Sequence, residues 1–382
     1  MRDGWRTALL AELCEIDTGD SDTKDAVPDG AYAFFDRSRT IKRSRRYIFN
    51  CEALIIPGEG TEFLPRKYDG KFDLHQRAYA LHKFTEKVSR DYLYYYLVHR
   101  SGYWGEVAVG ATVKSLRRRH FEGLDVPVPP LEEQWRIVAV LDEAFAAVDA
   151  ALTSLAKSLA LIRSTVALKR ERTFQALSEA PHFHLREMAS DYGRGKSKHR
   201  PRNDPILYGG PYPFVQTGDI RAADSHVVAF SQTYNDVGLR QSKLWPAGTV
   251  CITIAANIAE TAILTFNACF PDSVIGFVPD TASTTSRYVE YMLQYTKSRL
   301  QSLGKGSAQD NINLGTFEGM TFPFPPRSEQ AMIVDLLDSL QREASAYAAV
   351  QSQKAAALAE LKQSLLARAF SGALTADKAL AA

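Results

Sequence analysis

Cysteine is scarce in this sequence and widely scattered: Cys14, Cys51, Cys251 and Cys269 are the four in 382 residues. No CxxC occurs and no histidine pair stands at metal-ligand spacing. A disulfide framework and a zinc site are therefore not expected, and a reducing cytosol suits the chain. Excess charge of either sign is also missing, since the formal net charge is +2. That near-neutral total excludes a polybasic nucleic-acid sponge, so a nucleic-acid face would have to come from local clustering of Lys and Arg. The opening MRDGWRTALLAEL has no apolar signal region. No run approaches the roughly 18 apolar residues of a spanning helix, which points away from a membrane.

Catalytic constellations are lacking as well. There is no N/D-P-P-Y/F, the motif that holds an amino group for methyl transfer, no complete P-loop and no HExxH. GKS at 195–197 has the ending of a P-loop, but Ser190 stands where its first glycine belongs. DGK at 69–71 has the acid-x-Lys form of a nuclease site, yet DTK at 22–24 and ELK at 360–362 show how readily such triplets arise. No second acid is placed beside it. No catalytic residue and no metal ligand is assigned.

What is present is a repeat. GATVKSLRRRHFEGLDVPVPPLEEQ at 110–134 aligns without a gap on GSAQDNINLGTFEGMTFPFPPRSEQ at 306–330, an offset of 196. Over 110–142 against 306–338, thirteen of thirty-three positions are identical, where unrelated sequences would share about two. The offset extends upstream to pair Tyr92 with Tyr288 and Tyr95 with Tyr291. The chain is a tandem duplication. Each half holds short β-type runs (Tyr32–Phe35, Ala53–Ile56 and Tyr79–Leu81; then 213–216, 250–254, 262–266 and 274–278). An aromatic helix follows at 92–100 and 288–296, whose tyrosines are expected in the core. Next comes a proline corner (Pro127, Pro129, Pro130; Pro323, Pro325, Pro326) that stops one helix before the next begins.

After the first corner, Val138, Leu141, Phe145, Val148, Leu152, Leu155, Leu159, Ile162 and Val166 alternate spacings of 3 and 4. That is a coiled-coil seam. The second long helix has a looser one, with Val334, Leu337, Ala344, Ala348, Ala355, Leu358 and Leu365. Two such helices from a duplicated chain most simply pack antiparallel. The expected fold is α+β: two mixed α/β domains joined by an antiparallel two-helix coiled coil, with an internal pseudo-two-fold repeat. The expected boundaries are 1–130, 131–178, 179–326 and 327–382.

Basic residues cluster in both halves. DRSRTIKRSRR at 36–46 supplies Arg37, Arg39, Lys42, Arg43, Arg45 and Arg46, and a second group is Lys114, Arg117, Arg118 and Arg119. The second group's counterpart is polar: Gln309, Asn311 and Asn313. In the second half GRGKSKHRPR gives Arg194, Lys196, Lys198, Arg200 and Arg202, followed by Arg240 and Lys243. Fixed cations suit phosphates, Arg also suits guanine, and Gln or Asn suits adenine. Plain solvated loops are the alternative at each place.

PPLEEQWRIVAVLD at 129–142 and PPRSEQAMIVDLLD at 325–338, each opening a long helix, resemble the conserved regions of type I restriction–modification specificity subunits. YPFVQTGDI at 212–220 is similar to that family's early target-recognition segment. The first domain departs from it, with YAFFDRSRTIKRS at 32–44 in the matching place. The resemblance spans essentially the whole chain and implies a non-catalytic cytoplasmic DNA reader. Each domain would read half of a bipartite site on double-stranded DNA. The helices, through seam residues such as Val138, Leu141, Phe145, Leu152, Leu155, Val334, Leu337 and Leu358, would space the domains and dock two methyltransferase subunits. Restriction–translocation subunits would join them. S-adenosylmethionine, ATP and Mg²⁺ would belong to those partners, none to this chain. Two rivals remain at this point. A stand-alone coiled-coil DNA-binding regulator would need a helix-turn-helix that is not found. A non-nucleic-acid adaptor would leave the basic clusters unexplained.

Overall fold

A computed structural model describes residues 4–60, 62–110, 112–255, 258–304 and 312–376. The chain divides into two units, one of residues 1–157 with 351–382 and one of residues 158–350.

In the first unit a six-stranded sheet runs in the order Glu15–Thr18, Ala78–His82, Phe49–Pro57, Arg66–Leu74, Tyr32–Phe35, Lys42–Ser44. All neighbours are antiparallel except Tyr32–Phe35, which lies parallel to Arg66–Leu74. The apolar end of Phe49–Pro57 (Ala53 to Ile56) is fully buried, as a run unbroken by polar residues requires. The strand Arg66–Leu74 is not among the expected runs. Its sequence RKYDGKFDL alternates half-buried and exposed positions over six residues, so its one-sided burial leaves no continuous apolar signal.

The second unit repeats the plan. Its five-stranded sheet runs Ala189–Arg194, Val274–Pro279, Val250–Thr253, Thr261–Leu264, His226–Val227, again with the fifth strand parallel to the fourth, and with no counterpart of the sixth strand, Lys42–Ser44, among the described residues. Tyr208–Phe214 pairs with Gln232–Tyr234 in a separate two-stranded sheet, a wide hairpin whose connection holds the helix Thr217–Ala222 and the strand His226–Val227. Phe214 also makes one parallel bridge to Cys269. Each unit closes with a small antiparallel pair at its proline corner: Arg6–Leu9 with Asp125–Val128, and His182–Phe183 with Phe322–Pro323.

The matched residues of the repeat turn out to be fasteners. Gln134 is fully buried; its Oε1 accepts from the Ser89 N–H at 2.8 Å, and its Nε2 donates to the carbonyls of Lys87 and Pro129, both at 2.8 Å. Gln330 does the same job, accepting from the Thr284 hydroxyl at 2.9 Å and donating to Ser283 and Pro325. Tyr92 and Tyr288 donate to the carbonyls of Pro127 and Pro323, while Tyr95 and Tyr291 donate to Asp142 and Asp338. Buried polar groups demand such partners, so the repeat preserves the joint between each aromatic helix and the long helix beside it. The tyrosines belong to the core, as their helical spacing suggests: Tyr92, Tyr95 and Tyr96 are buried.

The long helices are Leu131–Gln175 and Arg327–Ser371, 45 residues each, or roughly 67 Å at 1.5 Å per residue. Both start right after their proline pair, whose second member accepts the first helical N–H groups, Glu133 and Gln134 or Glu329 and Gln330. In the first unit Ile137 and Leu141 share a core with Leu366, Ala369 and Phe370. Lys362 pairs with Asp149 at 2.5 Å, and Thr375 bonds Glu133. Partner numbers fall as helix numbers rise, so the two segments are antiparallel there. In the second unit Phe174 and Leu177 share a core with Ile333 and Leu337. By length and composition alone Leu131–Gln175 is apolar enough to cross a membrane, because alanines fill the turns between its seam residues; one such helix does not make a span, and Ile137, Leu141 and Val148 along it are buried within the chain.

Candidate nucleic-acid interface

The basic run at 36–46 begins at the end of the strand Tyr32–Phe35 and turns into Lys42–Ser44. Asp36 is buried at its start, accepting the Ser38 N–H at 2.8 Å and Lys42 Nζ at 2.6 Å. Burial pushes this carboxyl up, but the bonds from Lys42 and Ser38 outweigh it and hold the group below its ordinary 3.8. Arg43 donates to the carbonyls of Gly30 at 2.8 Å and Ala31 at 2.9 Å. Arg46 reaches Asp20, Ser21 and, at 3.5 Å, the fully buried Asp73, which also accepts from the hydroxyls of Ser21 and Ser44. For Lys42, Arg43 and Arg46 the expectation of DNA contact is revised. A buried carboxylate needs a cation, and loop carbonyls need donors, so these three are held by the fold. Arg37, Arg39 and Arg45 stay exposed. Arg39 pairs with Glu62, and Arg45 with Asp29 at 3.3 Å, on the surface, and such pairs are worth little and are easily exchanged for phosphate; Arg37 lies 3.7 Å from a carboxylate, Glu59, that Arg77 also holds.

The turn PGEG at 57–60 ties this loop to the second basic group. Glu59, nearly buried, pairs with Arg37 and Arg77 and bridges to Ser115. The Gly60 N–H donates to Lys114, and that of Leu116 donates to Gly58. A Cβ on Gly58 would meet the Arg77 carbonyl oxygen at 2.3 Å, and Gly60 has φ +134. Close approach of the chain to itself therefore explains Gly58, and a left-handed backbone explains Gly60. Lys114, Arg117 and Arg119 are exposed, with no carboxylate partner among the described residues, while Arg118 pairs with Glu122 at 2.8 Å. Two distant basic runs thus share one face. Sequence reasoning missed Arg66 and Arg77, which lie outside the dense basic runs. Arg66 spans the carbonyls of Asp36, Ser38 and Arg39 and so supports the loop that presents Arg37 and Arg39.

In the second unit Gln241 Oε1 accepts the N–H groups of Lys198 (2.6 Å) and His199 (3.1 Å), and the Ser242 hydroxyl donates to the Lys196 carbonyl. This fastens the loop after Ala189–Arg194 to the end of the short helix Asp236–Arg240. Lys196, Lys198 and Arg240 come together there, exposed and without a carboxylate partner among the described residues. Arg200 donates to the carbonyls of Ser197 and His199. Arg194 donates to the Asp272 carbonyl, and Arg202 pairs with the Asp272 carboxylate at 2.8 Å. Lys243 pairs with Asp191 at 2.6 Å and lies 3.6 Å from the centre of the Trp245 ring. Arg194, Arg202 and Lys243 thus hold the fold together, contrary to expectation. So does Asn313, which caps the helix Leu314–Glu318 by accepting the Thr316 N–H at 3.1 Å. Gln309 and Asn311 lie outside the described residues.

The seam residues are revised as well. Val138, Leu141, Phe145, Leu152, Leu155, Val334, Leu337 and Leu358 are buried or half-buried, so they serve the chain's own packing. The exposed apolar side chains on the long helices are others, among them Trp135, Leu161, Met332 and Leu336. Two further groups bear on chemistry. All four cysteines are free, and burial pushes the Cys14 thiol up to about 12, which makes it unreactive. Glu15, Asp17 and His82 lie close enough to share a cation, but Lys83 already pairs with Glu15 at 2.7 Å and His82 with Asp17 at 2.9 Å.

Comparison with known proteins fits this arrangement. The family model described as the type I restriction modification DNA specificity domain matches residues 2–156 and again 184–352. The chain is 25% identical to the type I restriction enzyme EcoDI specificity subunit of Escherichia coli, over 98% of this chain and 89% of that one. To the StySPI specificity subunit of Salmonella potsdam it is 24% identical, over 71% and 62%. Among solved structures, a chain from a study of complex assembly and conformational transition of the type I R-M system matches with a TM-score of 0.71. It is 21% identical, over 98% of this chain and 99% of that one. The HsdS subunit from Thermoanaerobacter tengcongensis matches at 0.51 and 19% identity, over 97% and 98%. These likenesses concern the fold alone. The two family matches, one on each copy of the repeat, cover well over half of the residues, and the chain belongs to the type I restriction modification DNA specificity domain family.

Proposed function

We propose that this chain is the DNA sequence-specificity subunit of a type I restriction–modification complex. Residues 1–130 and 179–326 are its two target-recognition domains, each reading one half of a bipartite site on double-stranded DNA. The helical segments 131–178 and 327–382 space them. The observation that carries this reading is the duplicated domain: one strand order used twice, each copy with its own exposed cations and each fastened to a long helix by a buried glutamine. Different side chains on a shared frame suit two half-sites of different sequence. The relatives named above are specificity subunits, not free-standing regulators.

The chain catalyses nothing by itself and holds no cofactor. S-adenosylmethionine belongs to two methyltransferase subunits, docked on exposed helix side chains such as Trp135 and Met332. ATP and Mg²⁺ belong to restriction subunits, and the assembly works in the cytoplasm. Methylome sequencing of a host with and without the gene tests the reading. One split methylated motif should vanish on deletion. Persistence of every motif would overturn it, and methylation of DNA by the pure chain with S-adenosylmethionine would overturn the non-catalytic assignment.

A further inference from the structure

The hairpin of the second domain carries side chains that neither the core nor the long helices account for. Phe214 pairs with Gln232 across it. Two residues beyond Phe214, Gln216 donates from Nε2 to Gln232 Oε1 at 2.8 Å. That bond leaves Gln216 Oε1 as an acceptor and Gln232 Nε2 as a donor, and neither finds another partner among the described residues. The loop leading into Gln232 exposes Val228 by 76% and Phe230 by 41%. It is held at both ends. Val227 pairs with Leu264 in the main sheet and its carbonyl accepts from the Thr265 hydroxyl at 2.7 Å, while Phe230 rests edge-on against Phe266. Beneath the hairpin, Phe214 and Tyr234 stack at 4.1 Å over Leu207 and Cys269. The cations Lys196, Lys198 and Arg240 stand at the other end of the hairpin, where Asp236–Arg240 follows Tyr234.

We propose that this hairpin reads an A·T base pair in the major groove, with the Gln216–Gln232 amide pair on adenine and Val228 with Phe230 against the thymine methyl. The proposal rests on the specificity-subunit reading. Adenine presents N7 as an acceptor and its N6 amino group as a donor along one edge, the complement of the donor and acceptor that the amide pair leaves free. The neighbouring apolar group on that base pair is the thymine methyl. A rigid base fixes both sets of side chains, as selective readout requires. The three cations supply phosphate contacts that place the hairpin without reading sequence.

The test uses the complex of this chain with its methyltransferase partner, on duplexes built from the wild-type methylome motif. At each A·T pair of the second half-site, adenine is replaced by 7-deazaadenine, which lacks the N7 acceptor, or thymine by uracil, which lacks the methyl. At one pair, each change should weaken wild-type binding on the order of tenfold. The double variant Gln216→Ala, Gln232→Ala should no longer distinguish 7-deazaadenine from adenine there. Val228→Ser, at a side chain too exposed to disturb the core, should no longer distinguish uracil from thymine, with first half-site sensitivity unchanged in both. Variants that keep the full wild-type discrimination, or that lose affinity equally on every duplex, would overturn the proposal. A wild-type methylome with no gene-dependent motif would instead overturn the reading beneath it.

Discussion

Gln134 and Gln330 each use a whole amide to hold a loop, a proline corner and a helix together. Gln134→Ala would leave the Ser89 N–H and two carbonyls without partners, at about 1–3 kcal/mol for each group cut off from water. Urea unfolding should show a clear loss of stability, and an unchanged midpoint would mean that water replaces the amide. Asp36 bears on acid stability. Its folded carboxyl lies below the ordinary 3.8 because Lys42 and Ser38 bind the charged form. Its contribution is therefore complete above the unfolded value and disappears as pH falls through the folded one. Asp36→Asn should weaken the protein at pH 7 and flatten its loss of stability below about pH 4; parallel acid curves for the two proteins would contradict this. On DNA the exposed arginines should separate from the structural ones. Arg39→Ala with Arg45→Ala should reduce the salt slope of binding by about 0.9 for every phosphate that is no longer neutralised, at unchanged melting temperature. Arg46→Ala should lower the melting temperature, because Asp73 is left buried without its cation. Equal slopes in wild type and the double variant would show that the loop is merely solvated.

The long helices were the most legible elements, since a seam alternating 3 and 4 admits no other structure, and every position from Val138 to Val166 in it is buried or half-buried. The second seam is interrupted by Gln341, Gln351 and Lys362, of which only Gln351 is fully buried, at 5% exposed. A buried polar side chain in a seam typically gives up stability to fix register. Gln351→Leu should therefore raise the melting temperature of the complex, and a lower one would mean that the amide makes a bond essential to packing. Strands with one solvated face were harder to read. Arg66–Leu74 mixes Arg, Lys and Asp with Tyr and Phe, and only its last three residues are buried. The site was legible in part for a related reason. A charge run can be seen in sequence, but its partners cannot: Asp20 and Asp29 lie 26 and 16 residues from the arginines they bind. The tertiary fold alone decides that Arg43 and Arg46, though exposed, bind loop carbonyls and the buried Asp73, while Arg39 and Arg45 have only surface carboxylates for partners. The Gln216–Gln232 pair gave no sequence signal either, because the two are joined only when the hairpin closes.

In the whole chain, two segments pass from one unit to the other, the first long helix at residues 157 and 158 and the second at 350 and 351. If each domain reads half a site, the helix lying between the two stretches is the natural ruler of the unread spacer. Seven residues inserted at each crossing would preserve both seams, since a heptad returns the apolar stripe to within about 20° of its place. Each helix would gain about 10 Å, or roughly three base pairs of DNA at 3.4 Å each. Methylome sequencing of this variant should return the same two half-sites separated by about three more unread bases. They should stay the same because Lys196, Lys198, Arg240, Gln216 and Gln232 in one domain, and Arg37, Arg39 and Arg45 in the other, all lie outside Leu131–Gln175 and Arg327–Ser371. A heptad in only one helix should instead break the antiparallel register that Lys362 and Asp149 mark and abolish methylation. An active double insertion with an unchanged spacer would show that something other than helix length sets the separation. Altered half-site bases would show that base-reading residues reside on the helices themselves.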